Sequence, residues 1–193
     1  MNNYNYDNLS GMTYLDWFDP SFKTNKYDNV IVYESGINDT TCEKARKAFD
    51  NLPKMAVEGF IEEGGKICIT RSLPGGALAA TDLSSYKEAV VIYISEDNMR
   101  ESLMHEIGRY IYYRFTETED IARFMSIQRR EEAKMLGAYS IFTLLDTEDY
   151  FAECFKTVYI LKGIDYEHAA PLTFTFMNEV IDFLNYKPMQ NIG

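Results

Sequence analysis

The apolar, β-branched runs of this 193-residue chain all lie in its first half, and that ordering constrains the fold more than any other feature. NVIVYES (29–35), KICIT (66–70) and AVVIYIS (89–95) read as strands. After Ser95 the apolar residues recur at helical spacing instead. Strands gathered first and helices after predict an α+β chain, a small sheet followed by a helical half. No internal repeat interrupts that order.

Local signals fill in the frame. Asp39, Thr40 or Thr41 is placed to cap a helix that carries Ala45, Ala48 and Phe49 on one side. Pro53 opens a second helical stretch, over 53–63, which Gly64-Gly65 ends. SLPGGALAATDLSSYK (72–87) is rich in turn residues, lacks a period, and is expected to be loop. Ser95, with Asn98 three residues on, is the expected N-cap of a helix running to about Tyr113. Further helices are expected from Thr118 to Lys134, from Thr147 to Gly163, and over PLTFTFMNEVIDFLN (171–185). Residues 1–28, rich in Asn, Tyr and Asp, show neither period and form an N-terminal arm. Such an arm docks on its own domain or on a neighbouring chain. Residues 29–193 make one domain, as the chain length allows.

Charge and composition exclude several function classes. Thirty acidic against 19 basic residues give a net charge of −11, which repels a phosphate backbone. The one dense basic pair, Arg129-Arg130, is followed at once by Glu131-Glu132, so nucleic-acid binding is not expected. No run reaches the ~20 apolar residues of a membrane span. The N-terminus has neither the basic nor the apolar region of a signal peptide, which points to cytoplasmic synthesis. Cys42, Cys68 and Cys154 are widely spaced and read as reduced, buried thiols.

The chemistry-bearing stretch is SLMHEIGRYIYYRF (102–115). On a helix His105 and Arg109 share a face, while Leu103, Ile107 and Ile111 form an apolar stripe. Zinc proteases use the spacing H-E-x-x-H to aim two imidazoles at one ion, with the Glu activating the bound water. Here the first imidazole and Glu106 are present, and a guanidinium stands where the second imidazole would be. Arginine stays cationic and offers no lone pair to a metal.

A later stretch, TEDYFAECFKTVY (147–159), extends the pattern. It resembles the signature of the anthrax lethal factor catalytic domain and the Pro-Pro endopeptidases, in which an acidic ligand precedes Phe-Phe-Ala-Glu, a small residue and Phe. Asp149 occupies the ligand place, followed by Tyr150, Phe151, Ala152, Glu153, Cys154 and Phe155. AAPLTFTFMNEVIDFL (169–184) resembles the closing helix of the same family, and the likeness spans about 100–185. The resemblance implies a zincin-like (gluzincin) α+β single domain. It implies His105 and Asp149 as metal ligands and Glu106 as general base, each vestigial here because Arg109 replaces a ligand and Asp149 is shorter than the usual Glu. The family's tyrosine seven residues before the third ligand is Phe142 in this chain, with Tyr139 nearby.

Without an ion, Glu106, Asp149 and Glu153 would crowd as uncompensated carboxylates. Arg109 is therefore expected to act with Glu153 as a structural clamp, its planar fork taking two carboxylates in place of the metal. The bland alternative leaves Arg109 pairing only with Glu106. His168 is read as an ordinary loop histidine, LPGG (73–76) as a turn, and Cys154 as inert. The expectation is a degenerate metallopeptidase without a cofactor, acting through a protein partner or homo-oligomer. A phage particle or other exported assembly, or a toxin-like decoy, would be a fitting setting. The rival is an active zinc endopeptidase in which His168 or Glu153 replaces the missing ligand, or in which Arg109 is not the natural residue.

Overall fold

A computed structural model of the chain describes residues 23–25, 28–73, 79–82, 90–96, 99–138, 146–161 and 166–186. Five strands form one sheet: β1 (Lys23–Asn25), β2 (Asp28–Tyr33), β3 (Lys66–Thr70), β4 (Ala79–Asp82) and β5 (Val91–Ser95), in the order β1-β2-β3-β5-β4. The inner strands β2, β3 and β5 run parallel, and the two edges, β1 and β4, run antiparallel to their neighbours. Parallel neighbours need a long crossover, and β2 reaches β3 through two helices, α1 (Asp39–Asp50) and α2 (Lys54–Glu62). The other helices are α3 (Met99–Phe115), α4 (Thr118–Ala138), α5 (Thr147–Leu161), α6 (Tyr166–Ala169) and α7 (Pro171–Asn185). The α+β class, sheet first and helices after, is the architecture seen.

The chain divides into two compact units, residues 1–52 with 57–106, and residues 53–56 with 107–193. In the first unit the core follows from strand alternation. Ile31, Ile67 and Ile92 are registered side by side, and all are fully buried. On the opposite face Val32, Cys68, Val91 and Tyr93 cluster with Leu73. Parallel strands covered on both faces read as continuous apolar runs rather than alternating ones, which is why KICIT and AVVIYIS stood out. Asn38 caps α1, its Oδ1 accepting the Thr41 N–H at 2.8 Å; the cap lies one residue before the three candidates named from sequence. Gly64 sits at φ 73° just past α2, where its missing Cβ lets the helix end in a left-handed turn.

Three local readings need correction. Ala79–Asp82 is a strand within what reads as a loop, because the tertiary pairing with β5 supplies order that its own sequence does not advertise. Ser95 is the last residue of β5 rather than a cap, and its hydroxyl donates to the Arg71 carbonyl at 3.4 Å. Lys23–Asn25, at the end of the N-terminal arm, pairs with β2; arm residues 1–22 lie outside the described residues.

The second unit is built around aromatic rings. Phe124 of α4 lies 5.5 Å from Tyr150, 5.3 Å from Phe151 and 5.1 Å from Phe176, so α4, α5 and α7 share one ring cluster. Offset and edge-on rings at such separations add to the burial term. The start of α7 is finished from elsewhere in the chain. Ala170, its N-cap, provides no side-chain bond. Glu131 of α4 supplies the acceptors instead, taking the Leu172 N–H at 2.9 Å, the Thr173 N–H at 2.8 Å and the Thr173 hydroxyl at 2.7 Å.

None of the three cysteines is in a disulfide, and all are buried. Burial pushes the Cys68 thiol from the ordinary 9.0 up to about 12, and burial followed by the Asp39 charge raises that of Cys42. Only the thiolate reacts with disulfide reagents. The folded protein is thus expected to show no reaction of Cys42 or Cys68 with such a reagent at pH 8, and full reaction in denaturant. The sign for stability is that of an acid whose folded pKa is raised. The contribution of the protonated Cys68 is intact below about pH 9 and is lost as pH climbs toward 12.

Candidate functional site

The residues singled out from sequence fall on α3 and α5, and the division between the two units lies between Glu106 and Ile107 of α3. In the first unit His105 is half-buried and Glu106 is 2% exposed. The Glu106 carboxylate accepts the hydroxyl of Thr81, which sits on edge strand β4. A carboxylate removed from water needs such a partner.

In the second unit Arg109 reaches the first turn of α5. Its Nε donates to Glu148 Oε1 at 2.5 Å, its Nη2 lies 2.5 Å from the same oxygen, and its Nε is 3.7 Å from Asp149 Oδ1. The three side chains are only 14–18% exposed, so solvent screens the pair weakly. Tyr113, one turn further along α3, donates its phenol to Glu148 Oε2. Both oxygens of Glu148 are thus engaged from one face of α3. Burial, followed by the charges of Glu148 and Asp146, raises the pKa of the neighbouring Tyr112 and so disfavours its ionisation. Asp146 caps α5, its Oδ1 accepting the Asp149 N–H at 2.9 Å.

The fit between α3 and α5 in this unit depends on two small residues. A Cβ built on Gly108 would stand 2.9 Å from Ala152 Cα and 3.2 Å from its carbonyl oxygen, so the backbones approach as closely as glycine permits. Alanine is the better helix former by about 1 kcal/mol, yet this contact is with backbone and cannot swing aside. Gly108→Ala is expected to lower stability by about 1–2 kcal/mol net, as overpacking outweighs propensity. A denaturant titration that showed a gain would place the helices further apart than described.

Several candidates stand away from this arrangement. Glu153 is paired with Lys156, three residues along the same helix, at 2.6 Å. His168 is exposed on the short α6, and Cys154 is buried. Phe142, Tyr139 and Pro74-Gly75-Gly76 lie outside the described residues. Sequence reading missed Glu148, Tyr113 and Thr81. Tyr113 was discoverable, being four residues after Arg109 and hence on its face. Glu148, next to the Thr147 at which this helix is expected to start, reads from sequence only as a favourable charge in a first helical turn.

A catalytic zinc site needs three protein donors and an open position. Among the described residues, no group of three or more His, Cys, Asp and Glu side chains is placed to hold a metal ion. Asp149, the expected third ligand, has a guanidinium beside it instead. The described residues therefore do not fit the ion. Among them, too, no helix is long and apolar enough to cross a membrane.

No family model matches the chain, and no curated protein matches it in sequence. The fold does have a solved counterpart. The Pro-Pro endopeptidase PPEP-2 from Paenibacillus alvei superposes with a TM-score of 0.54 at 19% identity, over 79% of this chain and 97% of that one. At that identity the likeness is one of fold alone: the chain shares the fold of that endopeptidase.

Proposed function

We propose that the chain is a degenerate metallopeptidase of the lethal-factor and Pro-Pro endopeptidase type, catalytically inactive, which acts through protein contacts as a subunit of a larger assembly. The observation that carries this reading is Arg109. It holds the place of a second imidazole ligand in H-E-x-x-R, and its fork engages Glu148 and Asp149 on the helix that would supply the third ligand. A permanent cation there balances charge as an ion would, but it cannot activate water or polarise a carbonyl. His105, Glu106 and Asp149 are then remnants of ligands and base. The clamp is formed by Arg109 with Glu148 and Asp149, while Glu153, expected from sequence to share it, is paired with Lys156. Exposed Phe183 on α7 and Tyr186 at its C-cap support a role in contacts.

The test is metal content, measured by elemental mass spectrometry on the purified chain and on Arg109→His. The expected result is no zinc in the chain as it stands and near-stoichiometric zinc in the variant, together with stabilisation of the variant by Zn²⁺ and its reversal by a chelator. Near-stoichiometric zinc in the unaltered chain would overturn the reading in favour of an active zinc endopeptidase. Zinc in neither would overturn the descent of the site from a metal centre.

A further inference from the structure

The Thr81–Glu106 bond ties two elements that the sheet alone holds loosely. Strand β4 has four residues and lies at the edge of the sheet, bonded along β5 from Ala79↔Ile94 to Asp82↔Val91. So short an edge strand has little intrinsic stability. Its sequence, Ala-Ala-Thr-Asp, adds little β-propensity, Thr81 being its one β-branched residue. Across from it, α3 presents a carboxylate that is 2% exposed and whose burial is costly without a donor. The Thr81 hydroxyl provides that donor. Hydrogen bonds to a buried charged group are among the stronger ones a side chain makes.

We propose that Glu106 is an anchor for the sheet edge: its buried carboxylate, through the Thr81 hydroxyl, keeps β4 seated on β5. The residue in the position of a general base thereby has a conformational task, and the order of a strand 25 residues away depends on it. The inference stands apart from the functional reading, since it concerns a contact within the first unit and needs no metal.

Hydrogen exchange of the full chain tests it, comparing Thr81→Val, Thr81→Ser and Glu106→Gln. Valine keeps the branched shape and strand preference of threonine but not its hydroxyl. Thr81→Val is expected to speed exchange of the β4 and β5 amides that pair across this edge by roughly tenfold, leaving the β2–β3 amides unchanged. Thr81→Ser, which keeps the hydroxyl, is expected to exchange like the parent. Glu106→Gln, a weaker acceptor of the same shape, is expected to fall between. Exchange unchanged in Thr81→Val would overturn the proposal. So would an equal rise throughout the sheet, or serine behaving as valine. Zinc content of Arg109→His reports on the functional reading alone, so failure of either idea is visible without the other.

Discussion

Phe124→Ala is expected to cost about 3–5 kcal/mol of unfolding free energy, the largest single effect in the helical unit. The ring is fully buried and lies within 5.5 Å of three others, from α5 and α7. Truncation removes its transfer free energy and leaves a void that three rigid rings cannot refill by rotamer changes. Arg123, whose guanidinium stands 5.2 Å over the Phe176 ring, is exposed and gives the cluster no compensating cover. Chemical denaturation with an unchanged slope checks the value. Phe124→Leu, which refills much of the volume, is expected to recover more than half of the loss.

Glu131→Ala is expected to cost about 3 kcal/mol, since one deletion orphans two backbone N–H groups and a hydroxyl at the start of α7. Glu131 and Thr173 are both buried, so water is poorly placed to replace the carboxylate. The Tyr150 hydroxyl lies 3.5 Å from Thr173 Oγ1 and is held largely un-ionised by burial, so it is a weak substitute. Glu131→Gln keeps one acceptor and the side-chain volume, and is expected to cost about half as much, because the helix terminus favours a full negative charge. A urea titration of both variants separates the two contributions. Equal losses would mean that volume, not charge, matters at this position.

That cap shows where sequence reading stops. Pro171 marked the start of α7 correctly, because proline at the first helical position is a local signal. Its acceptor could not be seen, since Glu131 lies some 40 residues earlier in a run that reads as surface charge. The inner strands were legible because two-sided burial makes them apolar throughout. β4 was not, because its order is imposed by β5 and, as proposed, by Glu106. At the candidate site, position 109 was legible as the place where H-E-x-x-H would carry its second imidazole. The partner was not: helical phase alone cannot say whether Glu148, Asp149 or Glu153 meets the guanidinium. One residue along α5 rotates a side chain by about 100°, and the structure settles on Glu148 first.

The parallel core of the sheet bears on the order in which this chain folds. Ile31 pairs with Ile67, and Ile67 with Ile92, so each rung joins residues 36 and then 25 positions apart. Loops of that length must close before any ladder bond repays them. The helical unit also packs distant segments, α4 and α5 against α7, but each of its helices forms its own ladder from residues four apart. Rapid mixing should therefore find helical ellipticity recovered well before the β2–β3–β5 amides gain protection. During that interval the strands, the most apolar segments of the chain, are the surface a chaperone would have to shield.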